Sequence, residues 1–339
     1  MKANLIKGTS VDSGVSGGGR SVLSKCIPLD TPYTIIVCPI YACNFRCRYC
    51  MYSLPECDRS YVPEIKRLGI ESCKKMIDDM TAFPQKVKVL NFCGLGEPLL
   101  EPELPNMIRY AVEKQVANVT EVISNGMLLS HEMSERLASS GLTRLKISIQ
   151  GLDSETYQEF SQIKIDFDTF VEQIRYFYEH RKNVKLYLKI MDAELKGHSE
   201  QEFFDIFGDI CDDISIEHLI PASEKIDYHQ LSNDNFSMTM NGNCRAAYRV
   251  CPRPFFVMNV HSDGNVDPCC TADIPVFVGN VKKESIVDIW NGKKANAFRK
   301  MQLIDKGKNE VCRKCTHYQY VMFEEDNLDD VAEEMIDKF

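Results

Sequence analysis

No apolar run in this 339-residue chain approaches the ~20 residues needed to cross a bilayer. The opening segment MKANLIKGTSVDSGVSGGGR has no apolar core, so it does not read as a secretory signal. A cytoplasmic protein with no membrane partner is the expectation. Basic charge is short: 40 Lys and Arg against 49 Asp and Glu leave a net charge of −9. Binding nucleic acid by bulk phosphate neutralisation needs the opposite balance, so no nucleic-acid partner is expected. Repeats and low-complexity blocks are absent. The 15 cysteines fall below the density of about 8–10% that marks a disulfide scaffold. In a reducing compartment, clustered cysteines are more often metal ligands or catalytic groups than crosslinks.

The length suggests about two domains. Residues 1–30 read as a flexible leader, with Gly17, Gly18 and Gly19 in a row. Residues 31–230 alternate short β-branched segments with helical patterns. Strands are expected at 33–39, 87–92, 119–124, 145–149, 184–190 and 214–220, and helices at 68–83, 102–115, 131–140, 154–161, 167–181 and 199–211. Such alternation implies an α/β fold with parallel pairing and right-handed crossovers, as an incomplete barrel or an open sheet. Residues 231–339 form a smaller, cysteine-rich unit. It should contain a hairpin around 262–265, an amphipathic helix at about 285–301 carrying Trp290, and a final acidic helix from about Asp326. Such a unit is too small to fill a core alone, and bound metal would supply the missing stability.

Cys43, Cys47 and Cys50 follow the first expected strand at spacings of four and three. Three thiolates on one loop can hold three corners of an iron–sulfur cube and leave the fourth iron open to a ligand. The alternative is a closed zinc loop, with Cys38 or Cys57 as fourth ligand.

The CxxxCxxC motif resembles the signature of the radical S-adenosylmethionine (SAM) superfamily over roughly residues 33–221. Gly94-Leu95-Gly96-Glu97-Pro98 is similar to the family's Gly-rich turn at the SAM amino group, and Ser124-Asn125-Gly126 to its third-strand turn. Ser148 and Gln150 stand where relatives place polar groups near the ribose, and Tyr49 where they place an aromatic beside the adenine. The resemblance implies a partial (β/α)6 TIM-like barrel. It also implies a [4Fe–4S] cluster on Cys43, Cys47 and Cys50 that binds and cleaves SAM, and cofactor contacts from Tyr49, Gly94, Gly96, Glu97, Ser124, Asn125, Ser148 and Gln150. The 5′-deoxyadenosyl radical then abstracts a substrate hydrogen, and an electron donor such as flavodoxin or ferredoxin is needed.

Cys251, Gly264 and Cys269 are spaced as Cys-x12-Gly-x4-Cys, and Cys312 and Cys315 follow. This pattern resembles the SPASM extension of radical SAM enzymes. No cysteine follows Cys315, which points to the shorter twitch version with one auxiliary [4Fe–4S] cluster on Cys251, Cys269, Cys312 and Cys315. A structural zinc site is the other reading of four cysteines. Cys244 and Cys270 could replace a ligand, donate a hydrogen atom or be inert. Cys73, Cys93 and Cys211 read as buried packing.

A second cluster fits two-electron oxidation, so the expected reaction is dehydrogenation of a sugar- or aminocyclitol-like carbinol. The alternatives are modification of a ribosomally made peptide, with Cys244 or Cys270 as hydrogen donor in an epimerase, and a non-catalytic iron–sulfur redox sensor. Only 42 residues precede Cys43, which weakens the peptide reading. Lys189 and Glu217 are substrate-site candidates inside the barrel, and His218, His229 and His261 are candidates for proton transfer.

Overall fold

The computed structural model describes residues 9–10, 20–269 and 271–339. Cys270 and most of the expected leader lie outside the described residues. Among the described residues ten strands form one sheet: β1 (Thr9–Ser10), β2 (Thr34–Val37), β3 (Val87–Phe92), β4 (Ala117–Ser124), β5 (Arg144–Ile149), β6 (Lys185–Met191), β7 (Asp213–Glu217), β8 (Val257–Val260), β9 (Asn265–Asp267) and β10 (Gly279–Asn280). Their order is β1-β7-β6-β5-β4-β3-β2-β8-β9-β10. From β2 to β7 every strand pairs in parallel with the next one in sequence. A doubly wound sheet would reverse order at a switch point. Consecutive order keeps right-handed crossovers winding one way, so the sheet curls into the partial (β/α)6 TIM-like barrel that the alternation left undecided.

The helices between these strands are Ile70–Met80, Leu104–Glu113, His131–Ala138, Ser154–Ser161, Phe167–His180 and Glu200–Phe207. Several begin at the side chains that favour such starts. Ser130, Asp153, Asp166 and Ser199 each accept a backbone N–H of the first turn. On the strands, side chains alternate between two faces. One face carries Leu90, Phe92, Val122, Leu145, Ile147, Leu186, Leu188 and Ile214, all buried in the main core with helix residues such as Met76, Ile108, Phe170 and Phe203. The other face carries Asn91, Glu121, Arg144, Lys146, Ser148, Tyr187, Lys189, Ser215 and Glu217. The interior of the barrel is therefore polar.

The C-terminal unit is joined to this body more closely than its composition implied. β8 pairs in parallel with β2, and β9 turns back antiparallel at the expected hairpin. Val266, Val278, Ile286 and Trp290 belong to the main core. A second core gathers Leu23 and Ile27 with Phe255, Leu303, Leu328 and Met335. From Arg20 onward the expected flexible leader is thus packed, and Arg20 Nη2 donates to both oxygens of Asp326, at 2.7 and 2.6 Å. The helix expected at 285–301 is two helices, Ile286–Asn291 and Lys293–Asp305, because Gly292 between them is extended, with ψ 160°. The expected final helix is broken into short turns, the α-helical one spanning Ala332–Met335. Among the described residues no helix is long and apolar enough to cross a membrane.

Candidate functional site

The three-cysteine loop leaves β2 and is held by backbone. The N–H groups of Arg46 and Arg48 donate to the carbonyls of Ser161 and Phe160, both at 2.9 Å. These bonds stand on either side of Cys47 and fix it against the end of the helix Ser154–Ser161. Phe45 is buried and meets Tyr157 edge-on, with ring centroids 6.3 Å apart. Cys43, Cys47 and Cys50 are half-buried. Burial pushes the Cys43 thiol up to about 12 and raises Cys47 and Cys50 too, and the neighbouring Cys50 and Cys43 push Cys47 further. Metal-free thiols here stay protonated, and a soft metal that binds thiolate displaces those protons. Cys38 is buried and its Sγ donates to the Ile40 carbonyl at 3.4 Å, while Cys57 is exposed beside Asp58.

Two turns close on this loop. A Cβ at Gly96 would lie 2.0 Å from the Ile40 carbonyl oxygen, so only glycine lets the β3 turn approach so closely. Glu97 donates its backbone N–H to the Ala42 carbonyl at 2.7 Å. Its buried carboxylate accepts from the Leu99 N–H at 2.9 Å, the Ser124 hydroxyl at 2.7 Å and the Asn125 N–H at 2.8 Å. Glu97, expected as a cofactor contact, also ties the β3 and β4 turns together through these three bonds. Desolvation still raises its pKa despite these donors. Asn125 Nδ2 then donates to Asn44 Oδ1 at 2.7 Å, which brings the β4 turn onto the cysteine loop. Tyr49 OH donates to Gln150 Oε1 at 2.6 Å, joining the loop to the end of β5, where Ser148 is half-buried. Gly94, Gly96, Glu97, Ser124, Asn125, Tyr49 and Gln150 thus meet at one end of the barrel.

Charged side chains line the interior below. Glu121 Oε2 accepts from Arg144 Nε at 2.5 Å, with Lys146 Nζ 3.3 Å away, and Asn91 Nδ2 donates to Glu121 Oε1 at 3.0 Å. Lys189 Nζ donates to Glu217 Oε2 at 2.7 Å, so these two candidates are partners. Glu194, which follows β6, is 1% exposed and has one oxygen without a partner. Burial pushes it up to about 8. Cys93 departs from the packing expectation. Burial raises its thiol, with Glu121, Cys38, Lys146 and Lys189 acting on it, so it faces this interior. Asn91, Glu121, Arg144, Lys146 and Glu194 were not singled out from the sequence. The alternation Arg-Leu-Lys-Ile-Ser-Ile over 144–149 carried the signal for a strand with one polar face.

Cys251, Cys269, Cys312 and Cys315 line one small cavity, although they come from three separate segments. Lys306 Nζ donates to the Cys312 carbonyl at 2.8 Å, and Gln302 Nε2 donates to Cys312 Sγ at 3.3 Å. Burial raises the Cys312 thiol. Asp267 Oδ1 accepts the Cys269 N–H at 2.7 Å, and its other oxygen lies 2.5 Å from His261 Nε2. His261 therefore braces a cysteine loop from the interior. Four soft donors with a lysine and an amide N–H beside them suit an anionic metal–sulfur cluster. Cys244 is exposed and does not line this cavity, and Cys73 and Cys211 are buried in the core as expected. His229 packs its ring on Phe236, at 5.0 Å between centroids, and His218 Nδ1 lies 2.8 Å from Asp192 Oδ2. A cleft of about 350 Å³ runs beside the cluster cavity, lined by Ser60, Ser223, Lys225, Asp273, Cys315 and His317 among others.

Comparison with known proteins agrees with this geometry. The family model described as Radical SAM superfamily matches residues 37–210, just over half the chain, and one described as an iron–sulfur cluster-binding domain (SPASM) matches residues 251–316. The GTP 3′,8-cyclase of Aliarcobacter butzleri is 33% identical over 48% of this chain, which spans about half (47%) of that protein's length. The PqqA peptide cyclase of Granulibacter bethesdensis is 24% identical over 85% of this chain and 80% of its own. Among solved structures, BtrN in complex with AdoMet and 2-DOIA shares the fold with a TM-score of 0.54 at 19% identity, covering 84% of this chain and 92% of that one. Streptococcus suis SuiB bound to its precursor peptide SuiA does so with 0.61 at 18%, covering 88% and 72%.

Proposed function

The chain belongs to the radical SAM superfamily, and from that premise we propose that it oxidises a carbinol of a small, polyhydroxylated, sugar- or aminocyclitol-like substrate. Its cofactors are a [4Fe–4S] cluster with SAM and auxiliary iron–sulfur. When bound, they supply a carbon radical able to take a hydrogen atom and a second iron–sulfur centre able to accept an electron. Cys43, Cys47 and Cys50 hold the first cluster and leave a corner for SAM. Cys251, Cys269, Cys312 and Cys315 hold a single auxiliary cluster. Tyr49, Gly94, Gly96, Glu97, Ser124, Asn125, Ser148 and Gln150 shape the SAM pocket, and Glu97 also ties two of its turns together. The enzyme works in the cytoplasm with a flavodoxin- or ferredoxin-type electron donor.

The observation that carries the substrate class is the polar barrel interior. Lys189, Glu217, Tyr187, Ser215 and Lys146 offer donors and acceptors to hydroxyl groups, and the unpartnered oxygen of Glu194 awaits one. These side chains pair with one another, or with Glu121 in the case of Lys146, and a polyhydroxylated ligand can use their remaining donor and acceptor positions where an apolar one cannot. A second reading, modification of a peptide, is favoured by the similarity to the PqqA peptide cyclase along 85% of the chain and by the cleft at 221–225 and 310–317, which could admit an extended segment.

Deuterium tracing separates the two. Anaerobically reduced holoenzyme with SAM and carbinol-deuterated sugars or aminocyclitols should place deuterium in 5′-deoxyadenosine. Transfer from a peptide carbon, with none from any carbinol, would replace the first reading by the second.

A further inference from the structure

Three side chains outside both cysteine sets converge at the barrel mouth. Asp192 directly follows β6, His218 directly follows β7, and Asp234 comes from the loop beyond. One ligand atom from each lies within 4.8 Å of the other two, and all three residues are half-buried. We propose that Asp192, His218 and Asp234 bind one divalent first-row transition ion of the manganese, iron(II) or zinc class.

The residues are set for this by their surroundings. Asp192 Oδ1 accepts the backbone N–H of Ala193 at 2.7 Å and of Leu219 at 3.0 Å. That leaves Oδ2 turned to His218 Nδ1, 2.8 Å away. The His218 backbone is fixed by its N–H donating to the Met240 carbonyl at 3.1 Å. The opposite edge of the ring faces Gly242, where an added Cβ would lie 3.4 Å from Nε2. Nδ1, 2.8 Å from Asp192 Oδ2, is the nitrogen presented to this carboxylate. The Asp234 N–H donates to Ser232 Oγ at 3.1 Å and holds the loop that brings the third ligand in.

Electrostatics point the same way. The cluster brings two carboxylates to one imidazole. Among the described residues neither Asp192 nor Asp234 has a lysine or arginine ion-pair partner. A dication satisfies both. Metal bonds of roughly 2.0–2.2 Å place ligand atoms a little over 3 Å apart, so the Asp192–His218 pair needs only to part slightly and Asp234 to close in. One imidazole and two carboxylates, with no thiolate, select a borderline-to-hard dication over the soft metals that the cysteine sets attract. Three protein ligands leave a position open to an oxygen donor, and it lies at the C-terminal strand ends, where barrel folds assemble their sites. Met191 and Ala193 pack in the same apolar cluster as Tyr49, so the site adjoins the part of the barrel mouth where Tyr49 stands.

The proposal stands independently of the carbinol reading, and its test reads binding rather than turnover. Holoenzyme with both clusters oxidised and diamagnetic, stripped of adventitious metal by a chelator, is titrated with Mn2+ while the paramagnetic resonance signal of the free ion is followed. One equivalent should bind beyond the iron, with electron spin-echo modulation from a single imidazole nitrogen, and Zn2+ should compete for it. Asp234→Asn and His218→Gln should each weaken binding by about tenfold or more, with iron content unchanged. No bound Mn2+ at about 1 mM, no nitrogen coupling, or binding that survives in both variants would overturn the site.

Discussion

Asn125 Nδ2 donates to Asn44 Oδ1 at 2.7 Å, while the backbone N–H of the same Asn125 donates to Glu97 Oε2 at 2.8 Å. One residue at the end of β4 therefore couples the cysteine loop to the Gly-rich turn. These three segments lie far apart in sequence, yet each is held by the others.

The first prediction follows from that coupling. Glu97→Gln keeps the shape of the side chain but removes the charge and replaces one acceptor oxygen by an N–H₂ facing two backbone N–H donors and one hydroxyl. Losing a charged, buried acceptor should cost roughly 1.5–3 kcal/mol in urea unfolding and weaken SAM binding. An unchanged urea midpoint with normal SAM affinity would show that the two turns do not depend on Glu97.

Gly96→Ala puts a methyl group 2.0 Å from the Ile40 carbonyl oxygen. Backbone must separate to admit it, at a cost of about 1–3 kcal/mol. Calorimetry should find SAM affinity down by about tenfold or more, with iron at the four-cysteine cavity retained.

Replacing Cys43, Cys47 and Cys50 together by Ala should lower iron from about eight per chain to about four, and replacing Cys312 and Cys315 should do the converse. Anaerobic iron and sulfide quantitation with electron paramagnetic resonance reads both. Two to four irons in the unmodified protein, with zinc at the second site, would remove the auxiliary cluster and the oxidation reading with it.

Glu194 supplies a pH test. Its ordinary value of 4.5 is raised to about 8 in the fold, mainly by burial. The folded state therefore binds this proton more tightly than the unfolded chain does. The stabilising contribution is complete below the ordinary value and is lost as pH rises toward the folded one. Glu194→Gln removes the cost of burying the charge. The variant should exceed the parent protein by roughly 2–4 kcal/mol at about pH 8–9, the gain fading toward pH 5. A stability difference that does not change with pH would show that Glu194 is ionised throughout.

Much of the barrel was legible in one dimension. The six strand positions were readable because each strand is short, β-branched and apolar on the face that meets the helices. The cysteine loop and the Gly-rich turn were readable because their spacing is local. Glu97 illustrates the limit: its type and place were visible, but not that Leu99, Ser124 and Asn125 would take up its oxygens. Cys93 looked like packing because a strand-end cysteine says nothing about which face it takes until register is known.

What local order and composition determined is the element sequence, the three-thiol loop and the absence of a spanning segment, since each depends on neighbours within a few turns of chain. Only the folded chain decided that the sheet winds one way into a partial barrel, that β8 completes its edge, that Cys251, Cys269, Cys312 and Cys315 share a cavity, and that Asp192, His218 and Asp234 meet. Those facts are pairings across long stretches of sequence, and they arise from burying one apolar face around a curled sheet, which brings remote side chains onto the same strand ends.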